Sequence, residues 1–316
     1  KGLAAFGVLV DNVRPDLAGV MAHKTQVVGE LGAGVVYLFK KNGVTWLKGR
    51  GRLLAADRVA VTKADGSIEE VTASRAVIIA TGSEATPLSA VPVDEQRIVS
   101  SSGVLSLPEI PDRLVVIGGG YVGLELGSVW QRLGSEVVVV EYMDRIAAGL
   151  DAEMATALQK VLEKQGMQFR LQQKVIGCRQ TESGVALDIE PSAGGESERL
   201  EADYVLVSIG RRPLTGGAGL EELGVKFHAK GGVAVDKGFQ TSVPGVYAIG
   251  DVIGGMMLAH KAEEEGIALA EILADRYGHV NYAAIPAVVY TWPELASVGR
   301  TEEQLKSAGV EYKVGK

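Results

Sequence analysis

The apolar run Leu114-Val115-Val116-Ile117 leads into Gly118, Gly120 and Gly123, and the next apolar run, Val137 to Val140, ends in a carboxylate, Glu141. At that spacing the first glycine permits a tight turn, the second lets a bound group approach the backbone, and the third lets a following helix lie against the strand. Such a loop holds phosphate, because free backbone N–H groups and the positive end of the helix dipole face it. Taken alone, the glycine spacing also fits a structural turn. The strand before it, the helical period after it and an acid about 20 residues further on favour a dinucleotide site. Glu141 would then choose between the two dinucleotides. A ribose 2′-hydroxyl donating to a carboxylate is worth about 1.5–3 kcal/mol. A 2′-phosphate would meet like charge, at a cost of up to about 4 kcal/mol at ~4 Å and an effective dielectric of 20. NAD is therefore expected over NADP. Arg145 follows nearby and is expected to face solvent.

For this loop to work, residues 114–117 must form a buried strand, residues from Tyr121 a helix, and residues 137–140 a parallel strand beside the first, making a βαβ unit. The 316 residues leave room for about two domains. With 47% hydrophobic and 22% charged residues the chain can bury a sizeable core. Its 41 glycines exceed the average of about 7%, as many turns and phosphate loops require. A net charge of −7 argues against a general nucleic-acid surface. No run of ~18 apolar residues is present, so no membrane span is expected. Cys178 is the sole cysteine, which rules out an intrachain disulfide and is compatible with a reducing compartment. No metal-ligand cluster is expected.

Along the chain, Arg14-Pro15-Asp16 signals a helix start, and Leu17, Val20, Met21, Val28, Leu31, Val35 and Leu38 continue at helical spacing to about Asn42-Gly43. A stripe of this kind predicts core packing, with His23 and Lys24 solvated. Strands are expected at Val44–Leu47, after a Gly49-Arg50-Gly51 turn at Arg58–Lys63 and Ile68–Thr72 as a hairpin, and at Ala76–Ala80 as a buried strand closed by Thr81-Gly82-Ser83. Beyond the glycine loop the same plan recurs. Asp151 caps a helix to Gln165-Gly166, strand-like stretches cover about Lys174–Arg179 and Gly184–Ile189, and Tyr204–Ser208 is a buried strand closed by Ile209-Gly210-Arg211-Arg212-Pro213. Such internal repetition predicts two nucleotide-binding domains. The first copy has no glycine-rich βαβ opening. Either that opening lies upstream of Lys1, or the first domain is degenerate.

Two later stretches fit the first domain. Val246–Ile249 is an apolar strand ending in Gly250-Asp251, and Met256–Lys261 opens a helix through about Tyr277. Asp251 is a candidate acceptor for ligand hydroxyls, and the helix start near Leu258 a candidate support for a ring that gains negative charge. Residues 285–294 begin something new, followed by a helix at Thr301–Ala308.

Five motifs, Ala80–Ser83, Gly118–Gly127, Ser208–Pro213, Ala248–Asp251 and Met257–Ala262, occur in one order. Together they strongly resemble the dihydrolipoamide dehydrogenases, the NAD-linked branch of the pyridine nucleotide disulfide oxidoreductases, along essentially the whole chain. The resemblance implies an α/β fold: two Rossmann-like nucleotide-binding domains of the FAD/NAD(P) type with β-meander insertions, plus the start of an α+β dimerisation domain. The implied boundaries are 1–112 and 236–281 for the FAD domain, 113–235 for the NAD domain and 282–316 for the dimerisation segment. It also implies NAD contacts at Gly118, Gly119, Gly120, Tyr121, Val122, Gly123, Leu124, Glu125, Glu141, Val175 and Gly210, with Tyr121 near the nicotinamide. The implied FAD contacts are Gly51, Thr81, Gly82, Ser83, Asp251, Met257, Leu258, Ala259 and His260, with Asp251 on the ribityl chain and the backbone at Leu258–His260 facing the flavin pyrimidine.

In the family, electrons pass from dihydrolipoamide through an enzyme disulfide and FAD to NAD. The partners implied are dihydrolipoyl groups of a 2-oxoacid dehydrogenase or glycine cleavage complex and a second copy in a homodimer. The compartment implied is the bacterial cytoplasm or the mitochondrial matrix. The family's first FAD glycine loop, its Cys-x-x-x-x-Cys pair and its His-Pro with downstream Glu are not in these 316 residues. Cys178 on a strand does not replace the pair, and none of His23, His228, His260 or His279 has the setting of the base. The expectation is a middle portion of such an enzyme, with no catalytic residue in the chain. Two alternatives stay open: another flavin disulfide reductase, such as those for glutathione or mercuric ion, and a non-catalytic NAD-binding module.

Overall fold

A computed structural model describes residue 11 and residues 13–316, so part of the opening of the expected first FAD segment lies outside the described residues. Asp16 caps helix α1 (Leu17–Lys41) by accepting the Gly19 N–H at 3.2 Å. No residue of α1 is buried, and Leu31 is 67% exposed, which corrects the expectation of a core-packed stripe. Leu17 and Met21 alone of the named stripe pack on the core, and Lys24 donates to the Leu105 carbonyl at 2.5 Å instead of being free in solvent. His23 is exposed. An amphipathic period marks a face that can be buried, without specifying what covers it.

Strands β1 (Arg50–Ala55), β2 (Arg58–Thr62) and β3 (Ile68–Thr72) form an antiparallel meander. The strand expected at Val44–Leu47 is irregular, and Arg50-Gly51 belongs to β1 where a turn was expected. Strand β4 (Val77–Ile79) is less buried than its apolar composition suggests, since Ile78 is 45% exposed. Short strands β5 (Ser83–Ala85) and β6 (Ile98–Val99) follow.

The βαβ unit is then built as its sequence requires: β7 (Arg113–Ile117), α2 (Tyr121–Leu133) and β8 (Glu136–Val140). Helix α3 (Ala152–Gln165) is capped by Asp151 and ends at the left-handed Gly166. It leads to β9 (Gln168–Arg170). A second meander, β10 (Gln173–Thr181), β11 (Gly184–Pro191) and β12 (Glu198–Ala202), precedes β13 (Tyr204–Val207), every residue of which is buried. The parallel sheet runs β6-β13-β7-β8-β9. Helices α2 and α3 pack on one face through Leu124, Trp130, Leu158 and Leu162, and the second meander packs on the other through Val185, Leu187 and Ile189. Central strands covered on both faces are apolar throughout, which is why residues 114–117 and 137–140 carry no alternation.

The chain then returns. β14 (Arg211–Pro213) pairs with β5, and β15 (Val246–Ala248) pairs in parallel with β4. Helix α4 (Ala259–Leu273) stops a turn before the expected Tyr277. A hairpin, β16 (Ala287–Val289) and β17 (Leu295–Ser297), packs Val289 and Leu295 on the α2 core. Helix α5 (Glu302–Ser307) starts with a Thr301/Gln304 capping box. Among the described residues no helix is long and apolar enough to cross a membrane.

Candidate functional site

Strand β7 has β8 on one side and β13 on the other, so the sheet reverses its winding there and a crevice opens beyond the strand ends. Gly118 turns out of β7 with φ +109°, and a Cβ there would overlap the Ser208 carbonyl at the end of β13. At Gly123 a Cβ would overlap the Gly118 carbonyl and stand 2.7 Å from Ser208 Oγ, so only glycine lets α2 approach the strand this closely. Gly120 is the opposite case. It caps α2 with an ordinary φ of −81°, and nothing lies within 4 Å of where its Cβ would be. The space over the loop is open at the one position where a phosphate needs to approach the backbone.

The half-buried Glu141 projects into this loop. Its Oε2 accepts the Gly119 N–H at 2.6 Å, and its Oε1 accepts the Met143 N–H at 2.7 Å. A cavity of ≈ 900 Å³ lies beyond, walled by Gly118, Gly120, Tyr121, Val122, Glu125, Glu141, Val175, Gly210, Met257 and Leu258 from the expected set. Gly119, Gly123 and Leu124 are buried beneath the loop. Burial raises the Tyr121 phenol, which stays neutral at physiological pH. Glu125 Oε1 accepts the Tyr290 backbone N–H at 2.9 Å, tying α2 to the C-terminal hairpin. Arg145 is only 32% exposed and its Nε is buried without a partner, so it does not simply face solvent; nor does it line the cavity.

Three helices, α1, α3 and α5, are capped by the side chains of Asp16, Asp151 and Thr301. Helices α2 and α4 have no side-chain cap, and the residues at both of their starts border the same cavity. Their leading N–H groups are left for something else to accept.

Behind the cavity a second cluster joins residues distant in sequence. Ser83 Oγ donates to Asp251 Oδ2 at 2.5 Å, while Arg211 forks onto Ser83, with Nε 2.7 Å from Oγ and Nη2 2.6 Å from the carbonyl oxygen. Thr81 donates to the Leu214 carbonyl at 2.6 Å. Arg211, Gly255, Met256 and Met257 are common to the large cavity and to a second one of ≈ 690 Å³. Ala259 and His260 form the first turn of α4, and His260 Nε2 lies 2.8 Å from the Pro286 carbonyl oxygen. Gly51, Thr81, Gly82, Ser83, Asp251, Ala259 and His260 line neither cavity; Gly51 is exposed on β1. Neither Arg211 nor Lys174 belongs to the expected site set. Both stand on the wall of the large cavity, and Glu190 at 2.8 Å from the Lys174 ammonium keeps it protonated, raising its pKa. Cys178 sits on β10 against the second core cluster, and burial with the nearby Asp94 charge raises its thiol.

The profile of the "Pyridine nucleotide-disulphide oxidoreductase" family matches residues 6–266, and that of the family's dimerisation domain matches residues 285–316. The chain is 53% identical over 313 residues to the mitochondrial dihydrolipoyl dehydrogenase of Pisum sativum, covering 99% of this chain and 62% of that protein. It is likewise 53% identical over 313 residues to dihydrolipoyl dehydrogenase 3 of Pseudomonas putida, covering 98% and 67%. The solved structure of LpdA from Mycobacterium tuberculosis superposes with a TM-score of 0.86 at 28% identity, covering 95% of this chain and 66% of that one. The chain thus spans about three fifths of the length of the plant relative. The match to the family covers most of the sequence, the glycine loop, α2 and the start of α4 included: the chain belongs to the pyridine nucleotide-disulphide oxidoreductase family.

Proposed function

We propose that this chain carries the NAD site and part of the FAD site of a dihydrolipoyl dehydrogenase. The observation that carries the reading is the α2 start: an uncapped helix, an open position at Gly120, and the Glu141 carboxylate on the wall of the same cavity. In this reading the N–H groups at Gly120, Tyr121 and Val122 hold the NAD pyrophosphate, and Gly118 and Gly119 shape the turn. Glu141 accepts from the adenosine ribose while still holding Gly119, since each carboxylate oxygen has a second lone pair. Val175 and Gly210 border the adenosine and nicotinamide halves, and Tyr121 and Glu125 lie toward the nicotinamide.

The residues on the other side suit a flavin. Asp251, set by Ser83, offers a carboxylate to ribityl hydroxyls; the uncapped α4 start, with Met257 and Leu258 on the cavity wall and Ala259 and His260 in its first turn, offers N–H groups to the pyrimidine edge. Gly51, Thr81 and Gly82 complete the proposed flavin-facing set. Bound FAD supplies hydride transfer to NAD. The protein's part is to hold the two rings together and stabilise charge that develops at the pyrimidine through the α4 N-terminus.

The domain division proposed is 1–112 with 236–281 for FAD, 113–235 for NAD and 282–316 for dimerisation. The substrate of the whole enzyme is then a dihydrolipoyl group of a 2-oxoacid dehydrogenase or glycine cleavage complex, and its state a homodimer. It would work in the cytoplasm of a bacterium or the matrix of a mitochondrion. Calorimetric titration of the chain with NAD and NADP tests the assignment. One-to-one binding of NAD with NADP more than tenfold weaker is expected, from the bond worth about 1.5–3 kcal/mol that only the 2′-hydroxyl makes. Equal affinities would refute it.

A further inference from the structure

Behind the Asp251 turn, on the wall of the second cavity, lies a buried ion pair. Lys261 and Glu265, one turn apart on α4, are 3% and 0% exposed, with Nζ 3.1 Å from Oε1. The ammonium also donates to the carbonyls of Gly250 and Gly254 at 3.0 Å each, so its three protons are used. Glu265 Oε2 accepts the Gly250 N–H at 2.7 Å, and Oε1 accepts the Tyr282 hydroxyl at 2.8 Å. The bonds therefore grip both ends of the 3-10 turn Gly250–Ile253 that carries Asp251. A Cβ at Gly250 would stand 3.3 Å from the Ala262 side chain, so turn and helix are already in contact there.

A buried ion pair is a poor source of stability, because desolvation offsets most of the attraction and an apolar pair of similar volume often does as well. What an apolar pair cannot do is bind an N–H and a carbonyl at one end of a turn and a carbonyl at the other. The helix that supplies these side chains is the one whose uncapped start faces the cavity. We infer that Lys261, Glu265 and Tyr282 are positioning residues that fix the distance between the Asp251 carboxylate and the N-terminal N–H groups of α4, and so the spacing of two contacts to one flavin. The inference rests on the flavin reading above. Tyr282 lies on the short turn that opens the segment proposed for dimerisation, and its hydroxyl ties that turn to Glu265.

The test uses the full chain, FAD as probe, and two readouts: FAD affinity by fluorescence quenching and thermal melting, with NAD affinity as a control for the remote site. Lys261→Met alone is expected to lower both FAD affinity and melting temperature, because it strands a buried carboxylate. The double variant Lys261→Met with Glu265→Leu is expected to recover most of the melting temperature yet still bind FAD about tenfold or more weakly, since the hydrogen bonds between the charged side chains and the turn's backbone are gone. Tyr282→Phe is expected to weaken FAD about two- to tenfold, less than the double variant, because Lys261 and Glu265 keep their own bonds to the turn. NAD affinity should stay within twofold throughout. A double variant with wild-type FAD affinity, or NAD affinity falling in parallel, would overturn the positioning role alone. A wild-type chain that does not bind FAD would overturn the flavin assignment as well.

Discussion

Glu141 and Gly119 are joined by a 2.6 Å hydrogen bond from the glycine N–H to carboxylate Oε2, and a Cβ at Gly119 would press within 3.3 Å of the same side chain. The acid proposed to read the ribose therefore also fastens the phosphate loop. Removing it should cost more than one ligand contact. Glu141→Gln puts an NH2 group where a backbone N–H expects an acceptor, and NAD affinity should fall about 10- to 100-fold, the range of a charge-assisted bond. Glu141→Arg should abolish the preference for NAD over NADP in calorimetric titration. An unchanged preference would remove Glu141 from the specificity argument.

Gly123 is expected to matter for stability before it matters for binding. Alanine there overlaps the Gly118 carbonyl and crowds Ser208 Oγ and Val116, so α2 must move off the sheet. Overpacking of this kind costs about 1–3 kcal/mol. Melting of Gly123→Ala should fall by at least about 2 °C. A melting temperature equal to wild type would contradict the close packing assigned to that glycine.

The βαβ unit was legible because its signals agree with one another: residues 114–117 and 137–140 are continuously apolar and central in the sheet, and each glycine between them answers a different steric demand. Asp16 and Asp151 as caps were legible for the same reason, since a cap is a local bond. Burial of α1 was not, because periodicity carries no information about a covering surface. Strand β12 went unseen because Glu198-Arg199-Leu200-Glu201-Ala202 is polar and half-exposed at a meander edge, where pairing with β11 overrides composition. The Ser83–Asp251 and Ser83–Arg211 bonds span 168 and 128 positions and the Glu265–Tyr282 bond spans 17, and only the fold brings these residues together.

Asp94 gives a pH test of the fold. Its burial opposes ionisation, but the N–H groups of Gln96, Ile98 and Arg97 and the amide of Gln180 outweigh it, and its pKa is lowered below 3.8. A carboxyl more acidic when folded than when unfolded stabilises the fold above the unfolded value, and that contribution is lost as pH falls through the folded one. Asp94→Asn should therefore destabilise the protein by about 1–2 kcal/mol at pH 7, a figure reduced for partial exposure. The gap to wild type should begin to narrow below about pH 4 in urea unfolding and go on narrowing as the pH falls further. A gap that does not narrow on acidification would contradict the assignment.

The central claim is that the open space over Gly120 is where a dinucleotide pyrophosphate meets the start of α2. Gly120→Ala tests it most directly, because φ −81° suits alanine and nothing within 4 Å obstructs the added carbon. Without ligand the variant should melt within about 3 °C of wild type, the loss of a favourable glycine cap. In calorimetric titration of the same samples, NAD affinity should fall at least about tenfold, as the methyl group displaces the phosphate from the N–H groups that hold it. An alanine variant that binds NAD as tightly as wild type would contradict the account.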